Sequence, residues 1–384
     1  MNLSEKELSR LIKQGENESV EFKSSRVRPE SLSREIVAFA NTNGGTLIIG
    51  IEDDGFIAGV SLKKNFEEWV ANVTRNNVVP AINIKTSKIE VNKKKLIVLS
   101  IPKGVDRPYQ TIEDKYYLRV GSTNRTATKS ELLRLFQASG VFHYDLTPVK
   151  NTSIKSLNLG KLDDYFQKYQ FGFMEEEESQ KKQLLQNIDV LTANNEATLG
   201  GLLIFGINPT KGLPQNGISF AYFKGTEIDD ELLDKKVIEG TLDTQIDTLS
   251  VLLTKYLAAP SKIVGNKRVD SKAVYPEKVF RELITNAVVH RNYSISGSKT
   301  RVFLFEDRLE VISPGRLPNT ITIEKLPYGV SFAVNPVVVK FMENLRYIDQ
   351  LGRGLPMVSQ EAKKAGKKVV FQELGEEFKV ILEL

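Results

Sequence analysis

Hydrophobic and polar positions alternate most sharply near the start of the chain, over residues 19–23. The alternation predicts a short strand, with Val20 and Phe22 on one face and Glu21 and Lys23 on the other. An acid and a base therefore share the polar face of this strand. Loops at strand ends, such as those on either side of it, are where functional residues most often lie.

A helix and a second strand follow. Ser31 can cap a helix whose apolar residues recur at helical spacing, namely Leu32, Ile36, Phe39 and Ala40. The glycines of residues 43–45 suit the C-terminal cap of that helix. Residues 47–51 are apolar and predict a buried strand, which delivers Glu52 and Asp53 at its end.

The same periodicities predict further elements along the chain. Strands are expected at residues 81–91, 96–101, 116–120, 199–206, 218–223 and 309–312. Helices are expected at residues 4–14, 66–74, 128–137, 242–256 and 276–293, and another begins near Gly352. Residues 146–195 are polar and predict a helical connector. The fold class is therefore α+β, with domains at 1–145 and 196–384 joined by the connector at 146–195.

Composition narrows the classes of function. The 384 residues carry a net charge of +5, a mild excess that permits nucleic-acid binding without requiring it. The absence of cysteine excludes disulfides and thiolate metal sites, and two histidines are too few for a His-rich zinc site. No apolar run is long enough to span a bilayer, and the N-terminus does not have the pattern of a signal peptide. We expect a cytoplasmic protein with no membrane association.

Four separated motifs in the first third of the chain occur together in one known family. They are Glu16-x-x-x-x-Glu21-Phe22-Lys23, the run from Ala38 to Gly45, the run from Gly50 to Gly55, and the run from Tyr117 to Thr123. In this order they resemble the AlbA-like (divergent AAA-4) domain of Schlafen proteins and of many bacterial DNA-binding regulators.

Two functions are open for this domain. Basic residues near the acidic strand can form a patch that pairs with phosphates, and they are Lys23, Arg26, Arg28, Arg119 and the turn at 93–95. The resemblance also implies a metal-dependent nuclease acting on structured RNA such as tRNA. In that case Glu16, Glu21 and Asp53 would be catalytic and would hold Mg²⁺ or Mn²⁺. The alternative is that these acids are only exposed or salt-bridged.

A second stretch with candidate functional residues covers residues 276–293. Its apolar residues form one helical stripe, and Glu282, Asn286 and His290 recur every four residues in a polar stripe beside it. On spacing alone this polar stripe predicts a solvated face.

Residues further along give the stripe another interpretation. A predicted strand runs into Ser313-Pro314-Gly315, and Gly352-Arg353-Gly354 follows later. An acid and an amide on one helix, followed by two glycine turns, resemble the Bergerat (GHKL) ATP-binding fold. The match is closer still to the ATPase-like module that follows an AlbA-like domain in bacterial RecG-related proteins.

This second resemblance implies roles for seven residues. Asn286 would bind Mg²⁺, Glu282 would activate water, and His290 lies on the same stripe. Backbone N–H groups at Gly315, Gly352 and Gly354 would approach phosphates, and residues 318–350 would form a lid. Ser313 stands where the fold normally has an Asp that contacts the adenine amine. The alternative is a degenerate module that only packs or dimerises.

Together these features predict a nucleic-acid-binding protein with an ATP-binding module, acting as a transcriptional regulator or in defence. A nuclease, or an ATP-dependent dimer clamp, is the alternative. The expected partners are DNA or RNA and a second copy of the chain, and the expected cofactors are ATP with Mg²⁺ or Mn²⁺.

Overall fold

The structure is a computed structural model. It describes residues 5–52, 54–61, 65–257, 262–264, 267–269, 274–349 and 351–384, without the side chains of residues 5, 6, 262–264 and 267–269. The chain divides into two compact units, Met1–Val141 and Phe142–Leu384. Helices and strands are mixed in both, which confirms the predicted fold class.

The first unit contains short helices and strands. Its helices are α1 (Glu5–Gln14), α2 (Pro29–Asn41), α3 (Phe66–Asn76) and α4 (Lys129–Ser139). Its strands are β1 (Val20–Lys23), β2 (Gly45–Ile49), β3 (Val78–Val79), β4 (Lys85–Val91), β5 (Lys94–Ile101), β6 (Gln110–Thr111), β7 (Tyr117–Val120) and β8 (Thr123–Thr126).

Within the described residues, β1, β2, β5 and β4 form a sheet in that order. β1 and β2 run parallel, with Glu21 opposite Leu47 and Lys23 opposite Ile49. Helices α2 and α3 cover one face of the sheet, and α1 covers the other face through Leu8. Because strand side chains alternate, Val20 and Phe22 pack on the α1 side and Glu21 points to the α2 side.

The second unit has longer helices and one large sheet. Its helices are α5 (Leu159–Gln167), α6 (Glu178–Asn187), α7 (Leu199–Phe205), α8 (Pro209–Gly212), α9 (Leu242–Leu257), α10 (Glu277–Val289), α11 (Pro336–Asn344) and α12 (Gly354–Lys364). Its strands are β9 (Ile218–Lys224), β10 (Glu231–Ile238), β11 (Lys262–Val264), β12 (Lys267–Val269), β13 (Thr300–Leu304), β14 (Arg308–Pro314), β15 (Val369–Leu374) and β16 (Glu377–Glu383).

The large sheet, taken over the described part of the chain, has the order β10-β9-β13-β14-β16-β15. β9 and β13 are parallel, and the other neighbours are antiparallel. Helix α10 packs against α9, α12 and β14. It carries the residues of the predicted polar stripe, so this packing places that stripe beside the end of β14 and the start of α12.

Two sequence predictions differ from the structure. Residues 199–206 were expected to form a strand, but α7 is helical, and it is capped by Thr198, whose hydroxyl accepts a hydrogen bond from the Gly201 N–H. Every residue of α7 is buried, so its apolar run lacks the periodicity that distinguishes a helix from a buried strand. Residues 146–195 are not a separate connector, because Leu162, Phe173 and Leu185 lie in the core of the second unit.

None of the helices formed by the described residues combines the length and the apolar character that a membrane span requires.

Candidate functional site

A cavity of about 170 Å³ lies in the second unit. It is bounded by α10, by the end of β14 with the turn after it, by residues 326–334, and by the turn before α12. All the residues predicted to bind nucleotide line it, namely Glu282, Asn286, His290, Ser313, Gly315, Gly352 and Gly354. The fold thus brings together three stretches that are far apart in sequence.

In the wall of the cavity, Glu282 and Asn286 are joined by hydrogen bonds. The Asn286 amide nitrogen donates to the Glu282 backbone carbonyl at 2.9 Å and to its carboxylate Oε1 at 2.5 Å. Both partners are acceptors, so the nitrogen must face them. The amide oxygen of Asn286 is therefore the atom left for a ligand.

The Glu282 carboxylate also lies against the first residue of α12. A Cβ added to Gly354 would be 1.6 Å from Glu282 Oε1, so glycine lets the carboxylate lie in this position and a larger residue would displace it. Burial raises the pKa of Glu282, the Asn286 hydrogen bond lowers it, and the charge of Asp349 raises it, with a net upward shift. A carboxyl with a raised pKa is a stronger base, as proton-transfer chemistry near neutral pH requires.

The backbone of both glycine turns is also close to its neighbours. Gly315 has φ +126°, and a Cβ there would be 2.8 Å from the Cβ of Asn292. Gly352 has φ +67°, and its Cβ would be 2.7 Å from the Val330 carbonyl oxygen. Both turns need the conformational freedom that glycine provides.

Ser313, which also lines the cavity, is buried at the end of β14. Its hydroxyl donates to the Ala287 carbonyl at 2.7 Å. This bond uses its one proton, so Ser313 presents only acceptor lone pairs to a ligand. The walls around it are largely apolar, with Leu283, Val311 and Phe378 among them.

The lid predicted at residues 318–350 is smaller than expected. Residues 326–334 border the cavity, but the later part of the range contains α11. Val338, Phe341 and Met342 of α11 are fully buried in the core, so only the part before α11 can act as a cover.

His290 titrates in an unusual range. Burial lowers the pKa of this imidazole from 6.5 to about 4, so it is neutral at pH 7. A lowered histidine pKa gives stability that is present above pH 6.5 and is lost as the pH falls towards 4.

We therefore expect the difference in unfolding free energy between the wild type and His290→Asn to increase by roughly 3 kcal/mol from pH 4 to pH 6.5. Urea unfolding of both proteins across this range tests it. Groups that the two proteins share, such as Asp145, cancel in the difference. A difference that does not change with pH would contradict the buried, neutral imidazole.

In the first unit, Glu21 lies in a buried ion cluster. Its side chain is 5% exposed and contacts the Lys23 ammonium on one oxygen and Arg119 Nη1 at 2.6 Å on the other. Glu35 on α2 joins them, 3.4 Å from Lys23 and 3.7 Å from Arg119. Asn124 donates to the same Glu35 carboxylate. The acids of this cluster are thus already neutralised by protein cations.

Glu16 lies at the edge of the ion cluster. Its Oε1 accepts a hydrogen bond from the Phe22 N–H at 2.9 Å. Burial raises its pKa, the Phe22 bond lowers it, and the charge of Glu21 raises it, with a net upward shift. Asp53, the third predicted acid, lies outside the described residues. Over the residues that the structure describes, no group of three acids or histidines is arranged to hold a metal ion.

The predicted phosphate contacts divide into two groups. The Arg119 side chain is 1% exposed and donates to the carbonyls of Asn17 and Val20, and Lys23 is paired within the ion cluster. This burial argues against a phosphate contact by Arg119 and leaves little of Lys23 to make one. Arg26 and Arg28 are exposed, as a phosphate contact requires.

A groove of about 430 Å³ beside the start of α2 contains Arg28 together with Arg34 and Tyr117. The Arg34 side chain is 48% exposed. Lys93 and Lys94, at the exposed turn between β4 and β5, are also accessible. Among the bases predicted to contact phosphates, the exposed ones therefore lie just before α2 and at this turn rather than on β7.

Two family models match the chain. Residues 16–128 match the model described as "Schlafen, AlbA_2". Residues 297–382 match the model described as "Putative ATP-dependent DNA helicase recG C-terminal", a HATPase-type module. The chain combines an AlbA_2 segment with a HATPase-like segment. These matches confirm both resemblances seen in the sequence, and they indicate a nucleic-acid-related, ATPase-like protein.

Solved structures give weaker likenesses. The DIP2311 protein from Corynebacterium diphtheriae is 23% identical, with 95% of this chain and 75% of that chain covered and a TM-score of 0.48. The N-terminal domain of a RecG-related protein from Nitrosomonas europaea is 21% identical, with 28% of this chain and 82% of that chain covered and a TM-score of 0.23. No curated protein matches the chain.

The HATPase-like match begins after α10. It includes Ser313 and the glycine turns but not Glu282, Asn286 or His290, which the structure adds to the same cavity. Within the AlbA_2 segment, sequence reasoning missed Glu35. An available signal was its place on the apolar face of α2, three residues after Leu32 and four before Phe39.

Proposed function

We propose that the chain binds an adenine nucleotide with a divalent cation in the cavity of its second unit, and nucleic acid on the basic surface of its first unit. Its role would be regulation or defence directed at nucleic acid. One observation carries the proposal: a single cavity brings together the acid, the amide, the serine and the glycine turns that the sequence suggested separately. The HATPase-like match over residues 297–382 supports it independently.

The part of the cavity around Ser313 suits the base. Ser313 offers an acceptor but no proton, and the adenine amine is a donor. The surrounding apolar side chains can bury an aromatic ring. A hydroxyl provides no charge, however, so we expect weaker selection of adenine than a carboxylate would give.

The part of the cavity around Glu282, Asn286 and Gly354 suits phosphates and a cation. Gly354 opens α12, where free N–H groups and the helix dipole favour anions. Bound ATP with Mg²⁺ would supply the phosphoryl group and an ion that neutralises its charge. Asn286 would present its amide oxygen to the cation, which prefers oxygen ligands. Glu282, with its raised pKa, would accept a proton from water.

Substituting Asn286 and Glu282 one at a time should separate nucleotide binding from hydrolysis. Asn286→Ala removes the oxygen ligand, and we expect it to weaken binding of a non-hydrolysable ATP analogue with Mg²⁺ by roughly tenfold. Glu282→Gln preserves the shape of the side chain and should leave binding within about twofold while reducing phosphate release by about 100-fold. Calorimetric titration and a phosphate-release assay measure the two effects.

Asp229→Ala, at an exposed acid of the second unit, is the matched control and should behave as the wild type. Wild-type affinity in Asn286→Ala would show that Asn286 is not part of the binding site. Phosphate release by Glu282→Gln at the wild-type rate would show that Glu282 is not the proton acceptor.

Nucleic-acid binding by the first unit is supported by the exposure of Arg26, Arg28 and Arg34 and of the lysines at the β4–β5 turn. Arg26 and Arg28 are exposed and can pair with phosphates, unlike Arg119 in the ion cluster, whereas the half-exposed Arg34 also lies 3.6 Å from the Glu35 carboxylate. The DNA or RNA partner is proposed on the charge of this surface and on the AlbA_2 match.

If Arg26 and Arg28 each contact a phosphate, replacing both with Ala should reduce the slope of log affinity against log salt by about 1.4 to 1.8. Fluorescence anisotropy with labelled single-stranded and duplex oligonucleotides over a salt series measures that slope. Arg10→Ala, at an exposed base on α1, is the control and should leave the slope unchanged. An unaltered slope in the double variant would place the nucleic-acid surface elsewhere.

A further inference from the structure

The N-terminus of α11 is capped from a distant part of the chain. Its own N-cap residue, Asn335, makes no side-chain cap hydrogen bond. Asp145 takes that place from 192 residues away, and its Oδ2 accepts from the N–H groups of Val337 at 2.7 Å and Val338 at 3.2 Å. Cap residues normally precede their helix directly, so this arrangement ties α11 to another segment.

Asp145 belongs to the first stretch of the second unit, residues 142–149, which we call the entry segment because it directly follows the first unit. Asp145 is fully buried. The entry segment is held on its other side by α7, where the Leu199 N–H donates to the Thr147 carbonyl at 2.9 Å. A Cβ on Gly200 would be 3.0 Å from Val337 Cγ1 and 3.2 Å from the Asp145 carbonyl oxygen. The three elements are therefore in close contact.

From α11 the contacts continue to the cavity. The side chain of Asn335 instead directs its amide nitrogen away from α11, where it donates to the carbonyls of Val289 and Arg291, each at 2.8 Å. These carbonyls flank His290, which lines the cavity. Val339 of α11 and Val334 just before the helix line it as well.

We propose that Asp145 is a positioning residue for the cavity, and that through α11 it couples nucleotide binding to the packing of the entry segment against α11 and α7. The inference rests on the proposed nucleotide function. Occupation of the cavity fixes residues 330–339 and the end of α10. Since α11 is hydrogen-bonded to Asp145, occupation of the cavity also favours the form of the entry segment that is packed against α11 and α7. Coupling of this kind between two sites typically changes affinity by about 5- to 150-fold.

Hydrogen exchange of the full chain, with and without a non-hydrolysable ATP analogue and Mg²⁺, tests this. In the wild type, the analogue should slow exchange in α10 and also in the entry segment. In Asp145→Ala, measured at saturating analogue, α10 should remain protected while the entry segment loses its response. Affinity for the analogue should fall by about 5- to 150-fold. Asp145→Asn keeps an acceptor and should show a smaller effect. It therefore replaces Asp145→Ala in this test if the alanine variant does not fold.

A cap that is only structural would destabilise the protein but would not make the entry segment respond to nucleotide. If the analogue protects α10 in the wild type and leaves the entry segment unchanged, the coupling is wrong and the nucleotide proposal stands. If Asp145→Ala and Asp145→Asn both keep the entry-segment response, the role of Asp145 is wrong. Protection in no peptide would contradict the nucleotide proposal and this inference with it.

Discussion

Arg119→Ala should destabilise the first unit by about 3–5 kcal/mol, the usual effect of breaking a buried ion pair from one side. The substitution removes the guanidinium that contacts Glu21 and Glu35, which are both buried. It also removes the side-chain donor to the Asn17 carbonyl and one of the two donors to the Val20 carbonyl, which keeps the Asn17 N–H. Lys23 and the half-exposed Arg34 would then be the bases left beside two buried carboxylates.

Urea unfolding followed by tryptophan fluorescence measures this effect. The only tryptophan, Trp69, packs against the core of the first unit, where its ring meets Phe66 edge-on, so the signal reports this unit. Arg26→Ala is the matched control, because this arginine is exposed, and its effect should stay within about 0.5 kcal/mol. An Arg119 variant as stable as the control would mean that the ion cluster does not hold the first unit together.

Gly354→Ala should weaken nucleotide binding by roughly 1–3 kcal/mol, or about 5- to 150-fold in dissociation constant. The added Cβ would be 1.6 Å from the Glu282 carboxylate, so the carboxylate or the start of α12 must move. Alanine favours helices over glycine by about 1 kcal/mol, and loss of binding in a helix-favouring variant would therefore be specific to the cavity.

Gly297→Ala is the matched control, because a Cβ there meets no atom within 4 Å. We expect it to bind as the wild type does. Calorimetric titration of both variants with the non-hydrolysable analogue and Mg²⁺ gives the comparison. Equal affinities for the two variants would show that the contact between Gly354 and Glu282 is not part of the binding site.

The sequence was most informative where local geometry determines the outcome. Helical spacing placed Glu282, Asn286 and His290 on one face of α10. The two glycine turns were visible because few other residues allow positive φ or such close contact. Their convergence on one cavity followed from the resemblance to an ATP-binding fold and is seen in the structure.

Interactions between distant residues could not be predicted from local patterns. Arg119 on β7 contacts Glu21 on β1 and Glu35 on α2 only because the fold brings these three elements together. From sequence alone Arg119 was an exposed base on a strand. Asp145 caps a helix 192 residues away. Residues 199–206 were predicted to be a strand, although they form α7, because a helix that is buried on all sides has no polar face to show its periodicity.

The environment of the acids also argues against the nuclease alternative. The resemblance implies Glu16, Glu21 and Asp53 around a metal ion, an arrangement that needs carboxylate oxygens free to coordinate. Both oxygens of Glu21 are instead engaged by Lys23 and Arg119. A cation at Glu21 would have to displace one of these bases.

The central claim is that the cavity of the second unit binds an adenine nucleotide, and direct calorimetric titration of the full chain tests it most simply. We predict saturable heat with a non-hydrolysable ATP analogue and Mg²⁺, a stoichiometry of one per chain, and weaker binding when Mg²⁺ is replaced by a chelator. Absence of binding heat at high protein concentration, from protein that unfolds cooperatively, would contradict the claim and favour a module that only packs or dimerises.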